Sequence, residues 1–255
     1  MSRTARLSLF AVAGLCLLAV LLVGFHKLPP FGDFHGIYGR TVDRIELGAR
    51  HATDYVTALN FDLRAFDTLG EEFILFGSVT GVAALFRHIR HEDPRRDRRR
   101  TPEQHALQGA SDSFQALSLL LVALITALGI YITLHGTLTP GGGFQGGVVL
   151  AAGPTAVALA GRYLTVRKCA PDWVLEALES TGAAAYTMIG VGGLIFGGVF
   201  LQNFLPYGKP DTLISGGTMP LNSIAVALEV SGGLLLVFSE FLDQSLLSRR
   251  QEQPA

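Results

Sequence analysis

Six apolar runs, separated by polar segments, set the pattern of the chain. They are Leu7 to Phe25, Phe73 to Phe86, Phe114 to Leu134, Val148 to Leu164, Val174 to Phe204 and Leu221 to Leu242. Runs of this kind, almost free of charge, predict helices that cross a bilayer. The second run is short for a span unless residues from Leu69 or Glu72 join it, which brings one or both of Glu71 and Glu72 into the membrane rim. The fifth is longer than a span needs, so its first turns, with Glu176 and Glu179, belong at the interface. The first run is too long for a secretory leader, and no Ala-x-Ala-like site precedes His26-Lys27, so it is expected to stay as a membrane helix. The predicted fold is an all-α integral membrane protein with about six transmembrane helices.

The polar segments carry their own patterns. Between Pro29 and Gly70, the positions Tyr38, Val42, Ile45, Ala49 and Ala52 repeat at spacings of four and three. That stripe predicts a short amphipathic helix, lying at the membrane surface or packed within its own loop. Leu59 to Ala65 alternates apolar and polar, which predicts a short strand. Thr68-Leu69-Gly70-Glu71 has the spacing of a capping box, with Thr68 as N-cap of the second span. From Arg87 to Arg100 the chain carries seven arginines. A nucleic-acid contact is one reading of such a run; beside membrane spans, the reading is a basic cytoplasmic linker. Residues 91–112 are therefore the expected boundary between a two-helix part (1–90) and a four-helix part (113–250). Six spans place Arg3/Arg6, the arginine cluster, Arg162/Arg167/Lys168 and Arg249/Arg250 on one side. By the positive-inside rule that side is cytoplasmic, with both termini inside.

Composition agrees with this picture. Of 255 residues, 49% are hydrophobic and 16% charged, with mean hydropathy +0.39. The 30 glycines suit closely packed membrane helices. The two cysteines form no Cys-x-x-Cys pair and sit near no histidine cluster, so neither a disulfide framework nor a metal or iron–sulfur site is expected. No catalytic triad, phosphate loop or dinucleotide fingerprint is present. An enzyme is not indicated.

A few polar residues stand out against the apolar spans. Glu229 lies eight residues into the sixth run, about 12 Å deep at 1.5 Å per residue. A carboxylate there costs several kcal/mol unless it is protonated or paired. It either moves protons or bonds a neighbouring helix as a neutral acid. Glu71 is either a helix cap or an intramembrane acid. His135 ends the third run, as an interfacial hydrogen-bonding residue or a path residue. Glu179 marks the inner end of a polar path or the first turn of its helix. Between the third and fourth runs stands Thr139-Pro140-Gly141-Gly142-Gly143-Phe144-Gln145-Gly146-Gly147. Proline stops a helix there, and Gly142/Gly146 and Gly143/Gly147 offer bare faces for tight helix packing.

The run Pro140-Gly-Gly-Gly-Phe144-x-Gly146-Gly147 resembles the signature of the MnhB domain, the B-type component of the Mrp multisubunit sodium/proton antiporters. The match extends through Leu221-Asn222-x-x-Val226-x-Leu228-Glu229-Val230 and Ser239-Glu240-Phe241-Leu242. Upstream, Val56 to Glu71 resembles the C-terminal end of the large A-type antiporter component. In membrane-bound hydrogenase complexes that piece is a small separate protein, the E-type component. Leu63 and Ala65 depart from that pattern, whereas Arg64, Asp67, Thr68, Gly70 and Glu71 keep it. The resemblance implies a fusion of the two modules, acting in a prokaryotic cytoplasmic membrane with other antiporter subunits. It implies Na+ and H+ as transported ions, with no resident cofactor. Glu71, Asp67, Glu179, Glu229 and His135 are then candidates for an ion path, and Pro140 and Phe144 for setting helix packing beside it. The alternative it leaves open is an accessory subunit of a membrane-bound hydrogenase or related ion-translocating oxidoreductase.

Overall fold

A computed structural model describes residues 3–28, 36–92 and 111–252. Most of the basic linker, including Arg95, Arg96, Arg98, Arg99 and Arg100, lies outside the described residues. The side chains of Arg3, Arg6, Arg87, Arg90, Arg249 and Arg250 lie outside them too. The chain divides into two compact units, Met1–Arg40 and Thr41–Ala255.

The first unit holds α1 (Arg3–His26), whose apolar side chains are exposed all round, as suits a span in lipid. Helix α2 (Ile37–Ile45) opens the amphipathic stretch; from Thr41 onward it belongs to the second unit, and it runs on into a π turn at Glu46–Arg50. Of the expected stripe, Val42 and Ala52 are buried and Tyr38 is exposed.

In the second unit, Asp54 caps α3 (Tyr55–Ala58) by accepting from the Thr57 amide at 2.9 Å. A π turn, Leu59–Leu63, follows directly. The expected strand at Leu59–Ala65 is therefore absent. Burial there falls on Thr57, Ala58, Phe61 and Ala65, a helical rather than an alternating spacing. The polar positions between them have local partners instead: Thr68 Oγ1 donates to Asn60 O, Arg50 pairs with Asp62, and Arg64 with Asp67. Helix α4 (Ala65–Glu92) already includes Thr68 and Glu71. The capping box is thus overturned, because the helix starts three residues earlier and the Thr68 hydroxyl points back to the π turn.

Helix α5 (Asp112–Leu134) ends on His135 as its C-cap, before Pro140 is reached. The glycine segment then reverses the chain. Gly142 has φ 118, which only glycine adopts without strain, and its N–H donates to Ile132 O at 3.1 Å. Helix α6 (Gly143–Val157) continues through a π turn, broken at Gly161, into α7 (Tyr163–Cys169). Helices α8 (Asp172–Gly197) and α9 (Met219–Glu252) complete the chain. Six segments are long and apolar enough to cross a membrane: Leu7–His26, Ala65–Phe86, Asp112–Leu134, Gly143–Cys169, Asp172–Gly197 and Met219–Gln244. Among the described residues there is no strand. The protein is an all-α, multi-pass membrane protein.

Helix α9 is the centre of the second unit, packed against α8, α6 and α4. The glycines decide how closely. A Cβ on Gly143 would lie 2.4 Å from Ser223 O, and one on Gly147 2.7 Å from Val230 Cβ, both on α9. One on Gly146 would lie 2.0 Å from Thr133 Oγ1, on α5. So Gly143/Gly147 is the bare face toward α9, Gly146 faces α5, and Gly142 makes the turn. Phe144, beside them, packs on the core that holds Ala58, Phe61, Tyr186 and Val226. Pro140 is exposed in the loop.

Candidate ion-path site

Helices α4, α8 and α9 bring three glutamates together in the interior. Glu229 on α9 is 0% exposed, Glu72 on α4 is 1% and Glu179 on α8 is 3%. Glu72 and Glu229 lie within hydrogen-bonding reach of each other, and Glu179 feels the charge of Glu229. Neither oxygen of Glu72 or of Glu229 finds a donor, nor does Oε1 of Glu179. Ionised carboxylates only accept, so two of them can bond to each other only when one carries a proton.

The packing that holds these acids is reciprocal. A Cβ on Gly182 of α8 would lie 2.4 Å from the Glu229 amide nitrogen, and one on Gly232 of α9 would lie 2.7 Å from that of Glu179. Each acid thus projects from a point where the opposite helix has no side chain. With α8 antiparallel to α9, the two acids sit about 5 Å apart along the axis, roughly one turn.

The side chains stack in layers through these three helices. At the loop end, Tyr186 OH donates to Ala65 O at 2.9 Å and Asn222 Nδ2 to Phe61 O at 3.4 Å; Asn222 Oδ1 is buried without a partner. The Glu72–Glu229 pair comes next, then Glu179. Below Glu179, Val79, Leu175 and Leu236 form an apolar plug. Beyond the plug lies a charged network. Arg167 Nη1 donates to both Asp243 oxygens at 2.6 Å, its Nη2 to Asp172 at 2.8 Å, and Tyr163 OH to Asp243 at 2.7 Å. Glu240 is buried beside this end of α9. From Asn222 to Glu240 is eighteen residues of helix, about 27 Å, close to the apolar thickness of a bilayer, about 30 Å.

At the loop end a cavity of about 420 Å³ opens between Arg50, Asp62, Arg64, Phe66, Gln202 and Tyr207. Arg50 Nε lies 2.8 Å from Asp62 Oδ2, and its Nη1 donates to Tyr207 OH. Burial pushes the Asp62 carboxyl above its ordinary value, and the Arg50 charge opposes the rise.

The other candidates stand elsewhere. Glu71 is exposed, on the face of α4 turned away from Glu229. Gly70 is exposed beside it, with nothing within 4 Å of an added Cβ. Asp67 is exposed and paired with Arg64. His135 stacks on Tyr131 with ring centroids 4.2 Å apart, and its Nδ1 has no partner. The residue that sequence reasoning missed is Glu72. Its signal is the buried stripe Ala65, Thr68, Leu69, Glu72, Val79 and Ala83 of α4, which puts Glu72 inward and Glu71 outward.

The chain as a whole is similar to several known proteins. A sequence profile described as a domain related to the MnhB subunit of Na+/H+ antiporter matches residues 113–236. An uncharacterised protein of Methanocaldococcus jannaschii is 34% identical over 198 residues, covering 71% of this chain and 74% of that one. The chain belongs to the MnhB family. The A/B component of a probable K+/H+ antiporter of Rhizobium meliloti is 28% identical over 232 residues. This MnhB-family chain aligns over 80% of its own length there and spans 22% of that much longer relative. Among solved structures, one chain of the membrane-bound sulfane sulfur reductase, an archaeal respiratory membrane complex, superposes with TM-score 0.69 at 26% identity, over 93% of this chain and 98% of that one. A chain of the Mrp complex from Dietzia sp. superposes with TM-score 0.65 at 23% identity, over 94% of this chain and 26% of that one, and shares the fold.

Proposed function

We propose that this MnhB-family chain is a membrane subunit of a multisubunit Mrp-type cation (Na+)/proton antiporter, lining the ion path and dependent on partner subunits. The observation that carries this reading is the Glu72–Glu229–Glu179 group, buried between helices with no basic side chain described beside it. Acids at membrane depth without a fixed countercharge are costly, and ion or proton passage is the use that justifies them. The alignment with the A/B component of a K+/H+ antiporter supports the cargo, Na+ or a related cation against H+. No resident cofactor and no chemical catalysis are called for. Residues 1–90 act as the module like the end of the A-type component, 91–112 as a cytoplasmic linker and 113–250 as the MnhB module. Both termini face the cytoplasm. Reporter fusions at Ala255 active only on the outer side overturn that orientation.

In the assembled complex, Glu229→Gln keeps the side chain's volume and removes its ionisation. It should cut antiport by about tenfold or more, equivalent to about 1.4 kcal/mol on the limiting step, with subunit composition unchanged. Full antiport in both Glu229→Gln and Glu72→Gln complexes would leave the chain as a packing scaffold. A second reading, an accessory subunit of a redox-driven ion-translocating complex, draws on the near end-to-end match to one chain of the sulfane sulfur reductase complex. Purification of the intact complex with mass identification of its subunits separates the two. Iron–sulfur partners select the second.

A further inference from the structure

We infer that Glu72 and Glu229 hold one proton between them, and that the ion handled inside this chain is a proton rather than an alkali cation. The inference rests on reading the chain as lining an ion path. It adds Glu72, and it assigns the class of ion.

The pair first needs a proton to be a pair. Two facing carboxylates with no donor on any oxygen repel when both are charged, and bond when they share a proton. The charged and titratable groups around them supply no alternative. From α4, Glu71 is adjacent but turned outward. From α8 come Glu179, the Tyr186 hydroxyl and, toward the Arg167 end, Glu176. Helix α6 carries no charged residue, and α5 carries only Asp112, in its first turn. Among the described side chains, lysine, arginine and histidine are missing from this set, so the countercharge is a proton.

An alkali cation fits the site poorly. A desolvated cation needs a shell of several oxygens to replace its water. Among the described residues, no group of three or more His, Cys, Asp or Glu is arranged to hold a metal ion. The walls that touch the acids at Gly182, Gly232, Gly233 and Val79 add no side-chain oxygen. A shared proton needs only the two carboxyls. Asn222 Oδ1, buried and without a partner two turns above Glu229 on the same face of α9, supplies an acceptor on the loop side. Glu179 supplies one on the other side. Transfer onward to Glu240 is blocked by Val79, Leu175 and Leu236, which must be wetted or displaced before a proton crosses.

The test uses the intact complex and dicyclohexylcarbodiimide, which takes up the O–H of a protonated carboxyl across one of its C=N bonds, in an apolar setting, to leave an acylisourea adduct. Adducts are mapped by mass spectrometry across a pH series, in NaCl, KCl or choline chloride at equal ionic strength. The expected result is an adduct at Glu72 or Glu229. Its rate falls as pH rises and is the same in the three salts. E72Q should move the pH at which Glu229 is labelled. Protection by NaCl or KCl overturns the assignment; a cation bound at ten times its dissociation constant would slow labelling about tenfold. No adduct at either residue also overturns it. If E229Q abolishes antiport while NaCl protects, the ion-path reading stands and the proton assignment falls. If labelling is as expected but E229Q transports normally, the ion-path reading falls instead.

Discussion

Replacing Gly182 by alanine tests whether the acids are held by the bare approach of α8 to α9. The new methyl carbon would lie 2.4 Å from the Glu229 nitrogen, 2.6 Å from Ala225 O and 2.7 Å from Glu229 Cβ, where ordinary contact begins at 3.4 Å. None of these atoms is the end of a flexible side chain, so the helices must part locally by about 1 Å. Overpacking of this kind costs about 1–3 kcal/mol. No hydrophobic gain offsets it, because lipid tails are as apolar as the helix faces they would cover. At about 1.4 kcal/mol per tenfold in an equilibrium constant, Gly182→Ala should lower the folded-to-unfolded ratio by roughly 5- to 140-fold under denaturing conditions. Gly77→Ala on α4, where nothing lies within 4 Å of the added carbon, is the control and should be neutral. The assay is thermal unfolding of the detergent-solubilised complex, read beside carbodiimide labelling of Glu229. Equal stability of the two variants, with labelling unchanged in both, would refute the claim that this contact sets the position of Glu229.

Other consequences can be measured in the same preparation. Gly146→Ala should destabilise the α5–α6 pair, because its methyl would overlap Thr133 Oγ1 and Gly129 O; a Gly146→Ala/Thr133→Ala double variant should recover part of the loss. Arg167→Ala should lower the unfolding temperature, since it removes the countercharge of the half-buried Asp243 and leaves it the Tyr163 hydroxyl; breaking such a partly buried pair costs about 1–3 kcal/mol. Tyr186→Phe should cost about 0.5–1.5 kcal/mol for the lost bond to Ala65 O. Because Asp62's carboxyl is raised in the folded state, its contribution to stability should fall as pH rises from below its ordinary 3.8 through its titration. Asp62→Asn should lack that slope in a pH series of unfolding temperatures.

Length and hydropathy alone made the six spans legible, because a bilayer leaves little choice. The glycine segment was legible as a site of close packing. Its division of labour was not, since Gly143, Gly146 and Gly147 face different helices and spacing within one helix does not name the neighbour. The alternation in Leu59–Ala65 misled, because side chains with local partners can mimic a strand's pattern inside a helical turn. Glu229 could be found as an acid at depth, whereas Glu179, expected in the interfacial first turns of its run, is buried in the interior because its side chain faces α9. Choosing between Glu71 and Glu72 required the rotational setting of α4, and the motif resemblance pointed to the neighbour that faces outward. In the buried stripe from Ala65 to Ala83 the rotation was present all along, but its polar members broke the apolar signal.

The mutual seating of Gly182 against Glu229 and of Gly232 against Glu179 bears on what can move during turnover. Two helices locked backbone to backbone at two heights cannot slide or rotate without collision, so this part of the molecule behaves as a stator. On the proposed ion-path reading, passage through it relies on swinging carboxyl groups and transient water, while any large mechanical stroke belongs to another component of the machine.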